Sequence, residues 1–374
     1  MSGIYIHVPF CRSKCIYCDF YSVALPSLIP GYVNTLKTEI SERKNQLNDK
    51  HIYTIYFGGG TPSILEIEYL ESILAEIYKN YCISEKLEIT LEANPENLND
   101  EYISALKRIG INRLSIGIQS FDDSTLKYLK RRHTAKEAIE SVLAAQKYGI
   151  DNISIDLIYG ISGIDNQMWE KQLDTAFSLP ISHLSCYCLG IEENTLLHRY
   201  TTEGKYIPAD DEKCLQQFLT FDRKVRENGF VHYEISNASK PNMPSLHNSS
   251  YWDRTEYLGF GPGAHSYYNG IRTWNISNVK EYIIKTSEGN LCNTAENLSE
   301  TDIFEETIML GLRTANGINI QEIEQHFGKE KALKICTTIK KLPPDLYNFD
   351  GNRFTLTPKG MFLSDGIIVE LINI

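Results

Sequence analysis

Six short β-rich runs, each followed by a stretch with helical apolar spacing, govern what this chain can fold into. The runs are 3–8 (GIYIHV), 52–57 (IYTIYF), 87–92 (LEITLE), 113–118 (RLSIGI), 153–158 (ISIDLI) and 184–189 (LSCYCL). Between them lie amphipathic segments such as IEYLESILAEIYKNY and AKEAIESVLAAQKYG. Strands that alternate with helices predict parallel βαβ units. Six of them predict a partial, open (β/α)6 barrel of the α/β class.

The alternation inside the strands adds a second constraint. Leu114, Ile116 and Ile118 share one face, and Ser115, Gly117 and Gln119 the other. Ile153, Ile155 and Leu157 oppose Ser154 and Asp156, while Ile89 and Leu91 oppose Thr90 and Glu92. Side chains alternate across a strand, so the apolar face meets the helices and the polar face turns inward. A closed eight-stranded barrel packs its lumen with aliphatic layers. This pattern predicts a polar lumen that holds a ligand, with a half-exposed sheet as the alternative.

Ligands in parallel α/β folds sit at the carboxyl ends of the strands. Here the first strand runs into Cys11-x3-Cys15-x2-Cys18, which takes three of nine cysteines. The second runs into Gly58-Gly59-Gly60-Thr61-Pro62, the third ends at Glu92, the fourth at Gln119, the fifth contains Asp156 and the sixth Tyr187. An odd cysteine count in a chain that opens without a signal-peptide pattern argues for thiols or metal ligands over a disulfide framework. Zinc wants four closed ligands, and His7 with the three cysteines could supply them. An iron-sulfur cluster held by three thiolates keeps one iron open for a small molecule. Spacing alone leaves both readings standing. The glycine run lacks the Gly-Lys-Ser/Thr ending of a phosphate-binding loop, so a nucleoside triphosphate is not expected. An inward carboxylate at Glu92 is costly without a partner, which favours a cationic or hydrogen-bonding ligand. Arg131 is the candidate counter-charge, unless its KRR run is only a solvated helix face.

The ordered set Cys11-x3-Cys15-x2-Cys18, Gly58 to Pro62, Glu92, Gln119 and IDLIYG (155–160) resembles the radical S-adenosylmethionine superfamily. It is most similar to the branch that holds oxygen-independent coproporphyrinogen dehydrogenases and haem chaperones, over nearly the whole chain. The resemblance implies a [4Fe-4S] cluster on Cys11, Cys15 and Cys18, with S-adenosylmethionine chelating the fourth iron. It implies cofactor contacts at Tyr5, Tyr17, Gly59, Gly60, Thr61, Glu92, Gln119, Arg131 and Asp156. Two positions depart from the pattern: Lys130 stands where relatives have glycine, and Ser162 replaces a common proline.

Within the branch, the dehydrogenase type resembles Cys-x3-Cys-x2-Cys-x-Cys with a long preceding segment. Here Cys18 is followed by Asp19-Phe20-Tyr21, and ten residues precede Cys11, which points to the chaperone type. HNSSYW (247–252) matches the motif associated with haem in the chaperones, and His247 is the expected haem contact, since a neutral imidazole is a good axial ligand. The alternative for this histidine is a structural role in an aromatic cluster. No Cys-x-x-Cys-His attachment site occurs. GFGPGAHS (259–266) is expected to close the cofactor side.

Three segments are expected: a core barrel over 1–235, a connecting segment over 236–298 that carries the HNxxYW motif and the GFGPGAHS strand, and a small α+β winged-helix-like domain over 299–374. That last segment carries eleven acidic against eight basic residues, which favours packing or partner docking over nucleic-acid binding. The net charge of −11 agrees. No run reaches the ~18 apolar residues of a membrane span, so the expected location is cytoplasmic and any membrane contact peripheral. The expected cargo is haem and the expected partner a haem-accepting protein. A homodimer is compatible with the resemblance. The competing reading is an enzyme, a coproporphyrinogen III dehydrogenase or another radical catalyst.

Overall fold

The computed structural model describes residues 2–49, 51–290 and 293–373. Six parallel strands follow the expected alternation: β1 Ser2–Val8, α1 Ile29–Glu42, β2 His51–Gly59, α2 Ile67–Asn80, β3 Cys82–Ala93, α3 Asp100–Arg108, β4 Arg113–Gln119, α4 Asp123–Tyr128, α5 Ala135–Lys147, β5 Asn152–Tyr159, α6 Asn166–Ser178 and β6 His183–Cys188. Capping residues mark the helix starts. Asn99 accepts from Tyr102 N at α3, and Thr134 with Glu137 forms a capping box at α5.

The apolar faces pack as expected. Ile4, Ile6, Phe57, Leu91, Leu114, Ile116, Ile155 and Leu184 are fully buried beneath the helices. The opposite faces of β1 to β6 line a polar lumen, and parallel register stacks them in tilted layers: Tyr5 beside Tyr56, Tyr56 beside Thr90, Glu92 beside Ser115, and Asp156 beside Ser185.

The sheet is larger than six strands. Past α7 Leu196–Thr202 and α8 Asp211–Glu227, the chain adds β7 Val231–Glu234 and β8 Asn237–Ser239, antiparallel, beyond β6. After α9 Leu246–Trp252, strand β9 Tyr257–Phe260 pairs parallel with β1, and β10 His265–Tyr268, β11 Ile271–Asn275 and, past α10 Val279–Ser287, β12 Asn293–Asn297 extend that edge. The order is β12-β11-β10-β9-β1-β2-β3-β4-β5-β6-β8-β7. Residues 236–298 therefore feed both edges of one sheet.

A buried ion pair seats the β9 edge. Arg43, 1% exposed, donates to Glu39 Oε1 at 2.8 Å, to Gly259 O at 2.7 Å and to Ser266 Oγ at 2.9 Å. Glu39 also accepts from Gly261 N, Asn275 and Tyr282. The glycines of 259–266 serve this packing: a Cβ on Gly259 would lie 1.9 Å from His265 O, and one on Gly261 2.6 Å from His7 O. The expectation that they close the cofactor side is corrected. They close backbone on backbone beside β1.

The C-terminal unit comprises α11 Glu300–Leu312, β13 Ile318–Asn319, α12 Ile320–Phe327, α13 Lys329–Ile339, β14 Tyr347–Phe349, β15 Arg353–Leu356, α14 Pro358–Phe362 and α15 Ser364–Ile372. Its three-stranded antiparallel sheet runs β13-β15-β14, a helix and wing arrangement. It docks on the barrel through Phe362 against Phe218, a bridge between Glu234 and Thr314, and Glu306 paired to Arg272 and Arg254.

Candidate functional site

The carboxyl ends of the strands enclose a cavity of about 500 Å³. Cys11, Cys15, Tyr17, Cys18, Gly59, Gly60, Thr61, Glu92, Gln119, Arg131 and Asp156 all line it, so eleven of the thirteen expected site residues meet in one space. The loop after β1 is pinned by backbone bonds. Gly60 N donates to Val8 O at 2.8 Å, Thr61 N to Phe10 O at 2.8 Å, and Cys11 N to Val23 O at 3.1 Å.

The glycines are needed for that fit. A Cβ on Gly60 would lie 2.7 Å from Phe10 O, and one on Gly59, whose φ is +106°, 2.7 Å from the His7 ring. Gln119, at the end of β4, holds φ at +71° beside a register shift in its pairing with β5. Left-handed backbone at a non-glycine residue is strained and marks functional sites. Lys130 also adopts a left-handed φ of +58°, a conformation that glycine takes most easily and that fits the glycine expected there from the resemblance. Ser162 donates its N–H to Tyr206 Oη at 3.1 Å, a bond proline cannot make.

Three thiols share the cavity with polar partners. Thr61 Oγ1 donates to Cys11 Sγ at 3.3 Å, and Arg131 Nη1 approaches Cys15 Sγ at 3.6 Å. The rest of the Arg131 fork is fixed by Asn94 Oδ1 at 2.8 Å and Gly117 O at 2.5 Å, so it is an inward counter-charge and not a solvated helix face. His7 is not presented to the thiols: its Nε2 meets Tyr21 O at 3.0 Å and its Nδ1 the Tyr5 hydroxyl at 3.2 Å. Among the described residues, no three His, Cys, Asp or Glu side chains converge where one metal ion could sit. A mononuclear zinc site needs that convergence. A four-iron cluster spaces its thiolates more widely, and the donor set fits it.

Two carboxylates face the lumen. Glu92 accepts from Tyr56 Oη at 2.8 Å and from Gly59 N at 3.2 Å. Burial pushes its pKa up to about 7, against the pull of the Tyr56 bond. Asp156 accepts from Ser115 Oγ at 3.3 Å, and burial pushes it up to about 6, with Ser185 and Arg113 pulling the other way. Raised acids with free lone pairs suit ribose hydroxyls and an ammonium group. Tyr56 and Arg113 are absent from the motif-based set, although the alternation that turns Glu92 inward turns them inward too.

Two expected residues lie elsewhere. Tyr5 sits one layer below the cavity, its ring next to those of both Tyr56 and His247. His247 is 1% exposed, on α9 beneath the lumen. Its Nδ1 meets Thr54 Oγ1 at 2.8 Å, its Nε2 Tyr251 Oη at 2.9 Å, and its ring stacks on Tyr56 at 5.0 Å. Burial lowers its pKa to about 3. Glu88 accepts the Leu246 and His247 N–H groups and ties the helix to β3. In this arrangement the ring plugs the floor of the lumen with both nitrogens engaged, within the aromatic cluster given above as the alternative to a haem contact.

Open parallel strands around three thiols and two inward carboxylates define the class of protein. Residues 5–176 match the family model of the Radical SAM superfamily, and residues 298–363 that of the HemN C-terminal domain. The chain is similar to Heme chaperone HemW of Bacillus subtilis, 35% identical over 332 residues and 88% of each chain. It is 34% identical to Heme chaperone HemW of Lactococcus lactis, over 99% of this chain and 97% of that one. The chain belongs to the HemW family within the radical SAM superfamily. Coproporphyrinogen III oxidase (HemN) from Escherichia coli superposes with a TM-score of 0.84 at 20% identity, covering 99% of this chain and 89% of that one, which shows a shared fold.

Proposed function

We propose that this chain binds haem and passes it to an acceptor protein, and that it carries a [4Fe-4S] cluster on Cys11, Cys15 and Cys18 with S-adenosylmethionine on the open iron. The observation that supports this best is the composition of the cavity, which joins the three thiols to an apolar, exposed mouth. Phe20 is 64% exposed on the cavity rim and Tyr187 is 42% exposed beside it. Phe20 occupies the position where the dehydrogenase-type motif has a further cysteine. Exposed aromatic rings at the mouth suit a flat apolar macrocycle, which His247 beneath the lumen does not reach in this arrangement.

The cluster, when bound, would supply an open iron for the amino and carboxylate groups of the methionine moiety to chelate. The chain's own residues do the rest. Gly59 and Gly60 let the backbone approach the ligand, and Glu92 and Asp156 accept hydrogen bonds from its amino N–H and ribose hydroxyl groups. Tyr17 shields the thiols, and Arg131 offsets their charge. Membrane contact, a homodimer and a cytoplasmic site of action remain parts of this proposal. Among the described residues, no helix is long and apolar enough to cross a membrane.

Anaerobic reconstitution followed by two assays on one sample tests the reading. The protein is expected to take up one haem per chain, and to leave coproporphyrinogen unchanged with S-adenosylmethionine present. No haem uptake, or conversion to protoporphyrinogen, overturns it. Replacing any one of Cys11, Cys15 or Cys18 by serine is expected to abolish the cluster, read as iron and sulfide falling from about four per chain to near zero.

A further inference from the structure

Arg113 opens β4 on the lumen face, since its neighbour Leu114 is fully buried on the helix side. Register sets it beside Thr90 of β3 and Asn152 of β5, two residues below Ser115, whose hydroxyl holds Asp156. The guanidinium is 1% exposed, and neither Nε nor Nη1 has a hydrogen-bond partner. Thr90 Oγ1 beside it is also unpartnered. Removing a cation from water costs several kcal/mol unless an opposing charge offsets it. The other lumen guanidinium, Arg131, spends both Nη atoms on Asn94, Gly117 O and Cys15, and only its Nε lacks a partner. Below Thr90 on the same face of β3, the buried carboxylate of Glu88 is taken by the Leu246 and His247 N–H groups. Arg113 is thus a buried cation with two unpartnered donors under a cavity that holds Glu92 and Asp156.

We propose that Arg113 is a positioning residue for the S-adenosyl ligand: it is the fixed counter-charge beneath the cavity that keeps Glu92 and Asp156 available as hydrogen-bond acceptors. The inference rests on the S-adenosylmethionine reading above. The groups that face the two carboxylates explain why one is needed. Glu92 meets Tyr5 from β1, Tyr56 from β2, Asp156 from β5, Tyr187 from β6 and Tyr251 from α9, none of them cationic. Asp156 meets Ser115, Ser185, Tyr187, Cys186 and Tyr56, with Arg131 as a second, weaker cationic influence. The Arg113 charge acts on both carboxylates and opposes their protonation. It also disfavours protonation of His183 and His247, so both rings stay neutral beneath the site. Without Arg113, at least one of the two buried acids would hold its proton to a higher pH, because two close like charges cannot both ionise without an offset.

The test is equilibrium binding of S-adenosylhomocysteine to cluster-reconstituted protein as a function of pH, for wild type, Arg113→Gln and Arg113→Lys. Wild type is expected to bind with an affinity that rises to a plateau as the carboxylates ionise. Arg113→Gln is expected to bind at least tenfold more weakly at pH 7, to recover as pH rises, and to keep the infrared carbonyl stretch of a protonated carboxylic acid to a higher pH than wild type does. Arg113→Lys should fall between the two. A Gln profile that coincides with wild type overturns the proposal, and so does weak binding that no rise in pH restores. If Arg113→Gln does not fold, Arg113→Lys carries the test, since its shorter reach should raise the midpoint and an unshifted midpoint overturns the proposal. Failure of wild type to bind at all would instead overturn the S-adenosylmethionine reading.

Discussion

Gly59 and Gly60 are each closed to a side chain by a different neighbour, the His7 ring and the Phe10 carbonyl. Their identity was legible in the motif, but the reason for it needed the fold. His247 shows the opposite case. The motif singled out the right residue, yet tertiary packing gave it a different place, between Thr54, Tyr251 and Tyr56. Because Tyr56 in turn donates to Glu92, loss of the ring is felt at the cavity. His247→Ala is expected to destabilise the protein by about 2–4 kcal/mol through the cavity it leaves and the two hydroxyls it strands. It should also weaken S-adenosylhomocysteine binding while haem uptake persists. Thermal denaturation and haem titration on the same variant check this, and loss of haem with unchanged stability would return the imidazole to the role of ligand.

At the scale of elements, the strand ends converge because parallel register stacks polar residues in layers, and the period of two fixes which ones face inward. That much was readable from alternation in β3, β4 and β5. The β9 edge was not, because Glu39 and Arg43 read as an ordinary helix-surface pair four residues apart. In the fold, that pair is sealed under β9 and β10 and satisfies Gly259, Gly261, Ser266, Asn275 and Tyr282. Truncating one partner of a buried pair leaves the other charge uncompensated, and Arg43→Ala is expected to cost about 3–5 kcal/mol. Replacing both residues with apolar ones of similar size should cost less. Chemical denaturation of both single variants and the double variant measures the difference, and a double-variant loss equal to the sum of the two single losses would mean the pair is not coupled.

The whole molecule carries a net charge of −11 and places two acids in the lumen. Glu92 at about 7 and Asp156 at about 6 both lie above ordinary carboxylate values. At these two groups the native state therefore holds more protons than the unfolded chain between roughly pH 4 and 7, and their contribution to stability falls as pH rises through that window, while the buried histidines His183 and His247, whose pKa values are lowered, contribute with the opposite sign. Between pH 5 and pH 7.5 the melting temperature of cluster-free protein is expected to fall relative to that of the double variant Glu92→Gln, Asp156→Asn, since only the two carboxylates differ between them. A difference between the two proteins that does not change over this range would overturn the assignment of buried, raised carboxylates.

The order of strands and helices, the inward set Glu92, Gln119 and Asp156, and the cysteine triad follow from the sequence by itself, since they depend on local periods and short spacings. What only the tertiary structure decided are contacts between residues far apart along the chain. Glu39 meets Tyr282, Arg131 meets Cys15, His247 meets Thr54, and β9 pairs with β1. No local pattern encodes which distant partner satisfies a buried polar group. That choice is made when the sheet closes around the lumen and every desolvated donor must find an acceptor.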